Sequence, residues 1–303
     1  MLVPLDGSKL AEEVFVYAKE LAGRLDLDLD LLHVCNPEES ELIYMHRAYV
    51  ERMAEIVGNQ SRLVQERTGI QPGGKVVEAR GEVVLGNPAE EILRYADENN
   101  DDLILMATHG RSGIRHWAIG SVAEKVLRAS RVPVWLVRAG IPQEVVYDKW
   151  PKRTVLVPLD GSELAECALP HVEALVKQRG AELVEIVLLR VCESSAISSD
   201  YPADMPLSWE DHVKRVTDHT KQMSERYLAG VEKRLKDAGL KVRSEVLIGK
   251  PAVEIVDYAN RNPFNLIVMV THGRSGLSRW AYGSVANKVL HGVSSPTLLI
   301  RTR

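Results

Sequence analysis

The sequence repeats itself once, and this internal duplication constrains the fold more than any other feature. The string LVPLDGSKLAE, from Leu2 to Glu12, returns as LVPLDGSELAE from Leu156 to Glu166, with ten of eleven residues identical. A string of 23 residues from Met106 to Arg128 returns from Met269 to His291 with sixteen identities. Repeats this long and this far apart indicate two copies of one domain and not a solenoid unit.

Length and charge bound the class of protein. The 303 residues fit two domains of about 150 residues, each long enough to bury its own core. The 38 basic residues are balanced by 42 acidic ones, and no polybasic arm or stripe is present. We therefore expect neither nucleic acid nor a membrane as a partner. No apolar run approaches the roughly 18 residues that a membrane span requires.

The start of the chain and its cysteines favour a cytoplasmic protein. The sequence begins directly on an apolar strand pattern, without the charged and apolar regions of a secretion signal. Its three cysteines, Cys35, Cys167 and Cys192, form no CxxC pair. Cys35 and Cys192 end equivalent apolar strands, so small buried thiols are expected there.

Strand patterns alternate with helix patterns in each half. In the first half a short strand stops at Asp6, and apolar residues then recur every three to four positions, as in a helix. Asn87-Pro88 is a strong helix start, with Asn as the N-cap and Pro at the first helical position. Further strands are expected at residues 31–34, within 75–85, and at 102–106 and 132–138, with helices over 39–68, 88–100 and 120–130.

This alternation predicts an α/β fold of two tandem, doubly wound, Rossmann-like domains. Each domain is expected to contain a five-stranded, mainly parallel sheet flanked by helices. We predict domain 1 over residues 1–140, a linker over 141–152 and domain 2 over 153–303, with the boundary near Trp150. In the second half the Ser/Pro/Asp-rich stretch Ser194–Ser208 predicts an exposed loop.

The strongest candidate site follows the fourth strand of each half. Thr108-His109-Gly110 precedes Gly120-Ser121 by nine residues, and Thr271-His272-Gly273 precedes Gly283-Ser284 by the same spacing. A helix that opens with Gly-Ser presents free N–H groups and a positive dipole end, which suit a phosphate. The alternative is a tight strand-to-helix connection in which the serine caps the helix.

A second special turn ends the first strand of each half, at Asp6-Gly7-Ser8 and Asp160-Gly161-Ser162. A carboxylate at the carboxyl end of a strand is placed to accept hydroxyl hydrogens, for example from a ribose. The alternative is that the aspartate only caps the following helix. Val34 and Val191, which end the second strands, can offer backbone groups to a base edge, or they belong to the strand core.

Both halves resemble the universal stress protein domain, and the resemblance covers nearly the whole chain. It rests on VPLDGS at the first strand, on GNPAEEI and GKPAVEI, and on the THGRSG…GSVA block. It implies a fold like that of the adenine nucleotide alpha hydrolases, and a site for ATP or AMP, with Mg²⁺ as a companion ion of ATP. ATP-binding members carry G-x2-G-x9-G-[ST] after the fourth strand. The implied site residues are Pro4, Leu5, Asp6, Val34, Gly110, Gly120, Ser121 and Val122 in copy 1, and Pro158, Leu159, Asp160, Val191, Gly273, Gly283, Ser284 and Val285 in copy 2.

Both copies depart from this glycine pattern at its first position. The residues at that position are the last two candidate site residues. The position holds Ala107 in copy 1 and Val270 in copy 2. A methyl group is a small intrusion, whereas an isopropyl group can push the backbone or a ligand away. We therefore expect copy 1 to bind nucleotide better than copy 2.

The motifs favour a binding module over an enzyme. The sequence has no GxxxxGK[ST] and no GxSxG, and no GxGxxG follows a strand. We predict no catalytic residue and no metal site. The leading prediction is a nucleotide-binding stress-response or signalling module without efficient turnover, whose occupancy biases pairing between domains or with a partner. The alternatives are a slow ATPase or self-phosphorylating enzyme on the same site, and a scaffold that no longer binds nucleotide.

The last strands of the two halves, Val132–Arg138 and Ser295–Arg301, are apolar and would form sheet edges that need a partner. The family resemblance implies that the two domains pair through these strands with pseudo-twofold symmetry. One chain would then resemble a dimer of single domains, and a homodimer of chains is a further expectation.

Overall fold

In a computed structural model of the protein, strands and helices alternate along both halves of the chain. The predicted linker lies outside the residues that the structure describes, as does the Ser194–Ser208 stretch. The described residues are 1–69, 76–108, 119–138, 153–193, 209–262, 264–271 and 283–301.

The first half has the predicted order of elements. A 3₁₀ helix over Pro37–Leu42 precedes the long third α-helix; Pro37 takes its first position, where the missing N–H costs nothing. The strands are β1 (Leu2–Leu5), β2 (Leu29–Cys35), β3 (Ala79–Leu85), β4 (Ile104–Ala107) and β5 (Val134–Val137), and the α-helices are α1 (Lys9–Glu12), α2 (Phe15–Leu25), α3 (Ile43–Thr68), α4 (Pro88–Glu98) and α5 (Ser121–Ala129).

The second half repeats this order. Both of its prolines at helix starts, Pro170 and Pro251, lie in the first turn of their helices. The strands are β6 (Arg153–Pro158), β7 (Val184–Cys192), β8 (Lys241–Ile248), β9 (Leu266–Val270) and β10 (Thr297–Ile300), and the α-helices are α6 (Glu163–Glu166), α7 (Leu169–Arg179), α8 (Trp209–Asp237), α9 (Pro251–Arg261) and α10 (Ser284–Gly292).

The helix predicted after Ser8 is divided into α1 and α2. Ser8 caps α1, because its Oγ accepts the N–H of Ala11 at 3.1 Å. The N–H groups of Glu13 and Val14 then donate to carbonyls three residues back, each at 3.4 Å. These 3₁₀-type bonds tighten the chain for one turn and separate the two α-helices. The apolar period of the sequence predicts the helical stretch but not this break.

All ten described strands form one sheet in the order β3-β2-β1-β4-β5-β10-β9-β6-β7-β8. Within each half every strand pair is parallel. Helices cover both faces, so each half is a doubly wound α/β domain and the predicted fold class is confirmed.

The sheet separates two buried apolar layers. Adjacent strand residues point to opposite faces, so Leu31 packs in the layer beside α2, α3, α7 and α8, whereas Leu32 packs in the layer beside α4, α5, α9 and α10. Leu31 and Leu32 are both 0% exposed. Strands buried on both faces explain the continuous apolar runs in the sequence.

The two halves join through β5 and β10, which form the only antiparallel pair among the described strands. Trp135 pairs with Leu298, and Val134 and Leu136 pair with Leu299 and Thr297. Because Trp135 and Leu298 occupy equivalent positions in the repeat, a local pseudo-twofold axis passes between them. The predicted pairing of Val132–Arg138 with Ser295–Arg301 is therefore present, over the shorter β5 and β10.

Two equivalent arginines reinforce this junction from opposite sides. The guanidinium of Arg138 donates to the carbonyl of Leu290 in α10. Reciprocally, Nη1 of Arg301 donates to the carbonyls of Arg128 and Ser130 at the end of α5, at 3.2 and 3.1 Å. A cation at a helix C-terminus also interacts favourably with the helix dipole. The strand junction is thus fastened to a helix of the opposite half on each side.

A second contact between the halves is ionic and buried. Glu20 of α2 and Arg179 of α7 form an ion pair at 3.0 Å, with both side chains 1% exposed. Glu20 also pairs with Arg24 and Arg67, each at 2.9 Å. A carboxylate this deeply buried is tolerated because several cations surround it.

Candidate functional site

The first part of the site is the turn at the carboxyl end of β1. Oδ1 of Asp6 accepts the N–H of Ser8 at 3.0 Å, and Gly7 has a φ of 79° that favours glycine. Since Ser8 caps α1, the role of Asp6 is to close the turn that brings its carboxylate to the sheet edge.

The equivalent turn after β6 has the same geometry. Oδ1 of Asp160 accepts the N–H of Ser162 at 2.9 Å, and it also accepts the hydroxyl of Ser162 at 2.6 Å. Oγ of Ser162 in turn accepts the N–H of Ala165 at 3.1 Å, and Gly161 has a φ of 82°. The recurrence of these bonds shows that the repeated string encodes this turn.

The second part of the site is the start of α5. Gly120 is the N-cap, with φ −63° and ψ 151°, and no side chain in the described part of the chain caps the helix. Its N–H donates to the carbonyl of Thr108 at 2.8 Å, which ties the helix start to the end of β4. Ser121 is the first helical residue and not the cap, so the alternative of a serine-capped connection is not observed. The amides of the first turn are left to face a ligand.

The start of α10 repeats this arrangement. Gly283 is its N-cap and likewise has no side-chain cap from the described residues. The N–H of Gly283 donates to Thr271 at 2.8 Å, and the N–H of Thr271 donates to Ile300 at 2.9 Å. Both halves therefore place a helix N-terminus beside an aspartate turn, at the carboxyl edge of the sheet.

In each half the aspartate turn, the end of the second strand and the helix start line a single cavity. Its volume is about 220 Å³ in the first half and about 540 Å³ in the second. Gly110 and Gly273 lie outside the described residues, as do His109 and His272. Every other predicted site residue lines its cavity: Pro4, Leu5, Asp6, Val34, Ala107, Gly120, Ser121 and Val122 in the first, and Pro158, Leu159, Asp160, Val191, Val270, Gly283, Ser284 and Val285 in the second.

The two cavity volumes do not follow the sizes of Ala107 and Val270. Val270 is 8% exposed and belongs to the same buried cluster as Leu169 of α7 and Leu228 of α8. Val270 also lines the larger cavity, and Ala107 packs against the same cluster. That the first cleft binds nucleotide more tightly than the second remains a prediction. The cavity volumes do not support the reason given for it, which was obstruction by the larger side chain of Val270.

Further apolar residues line each cavity that were not predicted as site residues, and three of them occupy equivalent positions in the two halves. In the first half these are Pro88, Ile92 and Met106. Pro88 and Ile92 belong to the GNPAEEI string, whose recurrence as GKPAVEI was the available signal. Their equivalents in the second half are Pro251, Ile255 and Met269.

In each half a tyrosine on the long helix contacts the short helix that follows the aspartate turn. The hydroxyl of Tyr49 donates to Glu12 at 2.7 Å, and that of Tyr227 donates to Glu166 at 3.0 Å. Burial and these hydrogen bonds raise the pKa of both phenols, so both stay protonated near neutral pH. The pair of contacts ties α3 to α1 and α8 to α6.

The described residues show neither a metal-ligand cluster nor a membrane span. No group of three or more His, Cys, Asp or Glu among them is arranged to hold a metal ion. None of the helices in this part of the chain combines the length and apolar character needed to cross a bilayer.

Two doubly wound domains joined edge to edge, each with a cleft at the carboxyl ends of its strands, define a tandem Rossmann-like protein. The sequence matches the model of the universal stress protein family over residues 1–138 and 152–301. The chain therefore belongs to the universal stress protein family, as the repeated motifs predicted.

Relatives of two lengths match the chain, one along its whole length and one over about half of it. Universal stress protein Rv2005c of Mycobacterium tuberculosis is 25% identical over 317 residues, which cover 99% of this chain and 96% of the relative. Universal stress protein MJ0531 of Methanocaldococcus jannaschii is 32% identical over 149 residues, 49% of this chain and 82% of the relative. A crystal structure of a universal stress protein from Archaeoglobus fulgidus matches with a TM-score of 0.64 and 23% identity over 99% of this chain and 97% of that one. That likeness shows the fold.

Proposed function

We propose that the chain binds an adenine nucleotide, ATP or AMP, in each of its two clefts. The observation that carries this proposal is the convergence, in both halves, of an aspartate carboxylate and a helix N-terminus that no described side chain caps, on one cavity. The first group suits ribose hydroxyls and the second suits a phosphate. The family resemblance of the motifs supports the same ligand.

The proposed orientation of the ligand follows from the chemistry of the walls. The phosphates lie at Gly120 and Ser121, and the ribose lies at Asp6. The base then packs between the apolar wall and the end of β2, where the backbone of Val34 is offered to its edge. The second cleft has the same plan, with Gly283, Ser284, Asp160 and Val191 in these roles. Mg²⁺ would accompany ATP on its phosphates and contact these groups only through them.

We further propose that occupancy biases association between the domains or with a partner, as part of a stress response in the cytoplasm. The Asp6 turn leads directly into α1 and α2, and the Asp160 turn leads into α6 and α7. Glu20 and Arg179 join α2 to α7. A change in one turn on ribose binding would therefore alter the ion pair that joins the two halves. Sedimentation with and without AMP measures whether chain association also responds.

Calorimetric titration with AMP, and with ATP in the presence or absence of Mg²⁺, tests the binding. We expect two sites in the wild-type chain and one in either Gly120→Val or Gly283→Val. Both glycines have extended φ and ψ values that valine can adopt, so the isopropyl group obstructs the phosphate position without straining the backbone. Gly230→Ala, on an open face of α8, is the control for glycine replacement.

Two outcomes would favour the alternative functions. Steady Mg²⁺-dependent release of ADP, abolished by Gly120→Val, would indicate a slow ATPase in place of a binding module. The absence of any AMP or ATP binding at millimolar ligand would leave a protein–protein scaffold. We expect neither outcome. The sequence has no GxxxxGK[ST] or GxSxG motif, and both clefts keep the aspartate turn and the Gly-Ser helix start.

A further inference from the structure

The cavity of the second half extends beyond the walls that it shares with the first cavity. We call the additional space, which the first cavity lacks, the compartment. The additional lining comes from the end of β7 and from α8. It is polar, with a guanidinium, two hydroxyls, a thiol and a carboxylate, and it accompanies the larger volume of about 540 Å³ against about 220 Å³. The residues that line it are Arg190, Cys192, Glu193, Thr220 and Ser224.

The first half fills the equivalent space with two imidazole rings. His33 precedes Val34 as Arg190 precedes Val191, and His46 precedes Tyr49 by three residues as Ser224 precedes Tyr227. The rings of His33 and His46 stack with centroids 4.2 Å apart and an interplanar angle of 15°. In the second half the small Ser224 replaces one ring, and Oγ of Ser224 lies 3.0 Å from Sγ of Cys192. The compartment therefore results from a difference between the two copies.

Arg190 lies directly against the aspartate turn of the second half. Its guanidinium stacks over the Tyr227 ring at 4.9 Å from the centroid, and it packs so closely on Gly161 that a Cβ there would collide with it. In the described part of the chain this guanidinium has no carboxylate ion-pair partner. Glu193 also lines the compartment but is exposed to water, which weakens its competition for the cation.

We propose that the second cleft selects an adenine nucleotide with an additional phosphate on its ribose, at the 2′ or 3′ position, and that Arg190 binds this phosphate. The inference rests on the proposed function, which places the ribose at Asp160, beside Gly161 and Arg190. A guanidinium presents a planar fork of donors to phosphate oxygens, and an arginine beside the ribose site is how doubly wound folds accommodate a 2′-phosphate. The hydroxyl of Ser224 adds a donor at the far wall, whereas that of Thr220 donates to the carbonyl of Val216 at 2.8 Å.

The experiment compares AMP with 2′,5′-ADP and 3′,5′-ADP by calorimetry on the full chain. In Gly120→Val, where only the second cleft is open, we expect one of the two bisphosphates to bind about tenfold more tightly than AMP. In Gly283→Val, where only the first cleft is open, the ratio should be near one. Adding Arg190→Met to Gly120→Val should bring the ratio close to one, and Arg190→Lys should leave an intermediate ratio.

The control is Arg261→Met in the Gly120→Val chain. It removes the same charge from an exposed position on α9, so a retained preference excludes a general effect of net charge. Thermal melts establish that each variant is folded, and Arg190→Lys keeps the test valid if Arg190→Met is not. A ratio near one in Gly120→Val, or a preference that survives Arg190→Met, overturns this inference alone. Failure of AMP itself to bind overturns the proposed function as well.

Discussion

At the residue scale, the role that we propose for the two cleft aspartates in ribose binding can be tested separately from their role in closing a turn. Asn in place of Asp6 keeps the oxygen that accepts the N–H of Ser8 but removes the charge. We expect Asp6→Asn to weaken AMP binding in the first cleft about tenfold, since a charge-assisted hydrogen bond to a ribose hydroxyl becomes neutral. The melting temperature should stay within a few degrees of wild type.

The measurement is AMP titration of Asp6→Asn in the Gly283→Val background, where the second cleft is blocked. Asp160→Asn in the same background is the matched control and should leave this affinity unchanged. An unchanged affinity in Asp6→Asn would show that the carboxylate does not contact the nucleotide.

Two glycines predict opposite responses to the same substitution. A Cβ on Gly81 of β3 would lie 2.6 Å from backbone atoms of Val50 and Glu51 in α3, whereas Gly230 in α8 has no atom within 4 Å of that position. We expect Gly81→Ala to lower the free energy of unfolding by roughly 1–3 kcal/mol, because backbone must move. Gly230→Ala should raise it by roughly 0.5–1 kcal/mol through helix propensity. Urea unfolding followed by circular dichroism gives both values, and shifts of the same sign would contradict this account.

The sequence predicts the residues of the cleft better than its dimensions. The motifs named the aspartate turns and the Gly-Ser helix starts, because these are local features with few alternative conformations. Arg190 was not predicted, since its meaning depends on Tyr227, 37 positions away in the sequence, and on the loss of a stacked histidine pair. The Ala107 and Val270 comparison gave no guide to cavity volume, because the second cavity gains lining from the end of β7 and from α8.

At the element scale, equivalent helices differ in how they begin. Oδ1 of Asn87 accepts the N–H of Ala89 at 3.2 Å and caps α4, as the Asn-Pro pair predicted. Lys250 occupies the same position before α9 and makes no capping bond. We expect Asn87→Ala to lower the free energy of unfolding by about 1 kcal/mol and Lys250→Asn to raise it by a similar amount. Lys250→Ala is the control and should leave the free energy of unfolding nearly unchanged. If it lowers that free energy as much as Asn87→Ala does, the capping hydrogen bond of Asn87 is not the cause.

The apolar pattern of the sequence predicts where most strands and helices lie, but not every break between them. Apolar periodicity predicted each described strand and most helices, because burial on one or both sheet faces imposes it directly. It did not predict the break between α1 and α2 or the 3₁₀ turn before α3. Both features arise from hydrogen bonds that shift by one residue, which leaves the apolar period nearly unchanged.

At the scale of the whole molecule, Glu20 and Arg179 form a buried ion pair between the two halves. We therefore expect substitutions at these two residues to have strongly non-additive effects on the free energy of unfolding. Glu20→Ala takes the carboxylate away from a buried guanidinium and should lower the free energy of unfolding by about 3–5 kcal/mol. Arg179→Leu should lower it by less, because Arg24 and Arg67 still pair with Glu20. The double variant, which makes this contact apolar, should recover a large part of the loss in Glu20→Ala. Arg24 and Arg67 limit the recovery, because both also pair with Glu20.

A double-mutant cycle from urea unfolding measures this coupling. The exposed pair Arg94 and Glu98 on α4, at 2.7 Å, is the control cycle, and its coupling should stay below about 1 kcal/mol. Additive losses at Glu20 and Arg179 would show that the two side chains do not stabilise the junction together.

The edge-to-edge pairing of the halves could be anticipated from sequence, whereas the ion pair could not. The apolar last strands needed a partner, and the duplication supplied one. Glu20 and Arg179 are separated by 159 positions and lie at places that the repeat does not match, opposite Ala174 and Leu25 in the other copy. No pattern within one copy signals such a contact.

The junction of β5 with β10 has a consequence for how this protein can diverge. In a dimer of identical domains every substitution occurs twice, so a carboxylate that gains a cation across the interface must also be tolerated at its mirror position. Within one chain the two partners are encoded separately and meet at an effective concentration that dilution cannot change. One half can therefore acquire Arg179 or Arg190 while the other keeps Leu25 or His33. Covalent fusion turns a symmetric assembly into a pair of independently adjustable clefts held at fixed one-to-one stoichiometry.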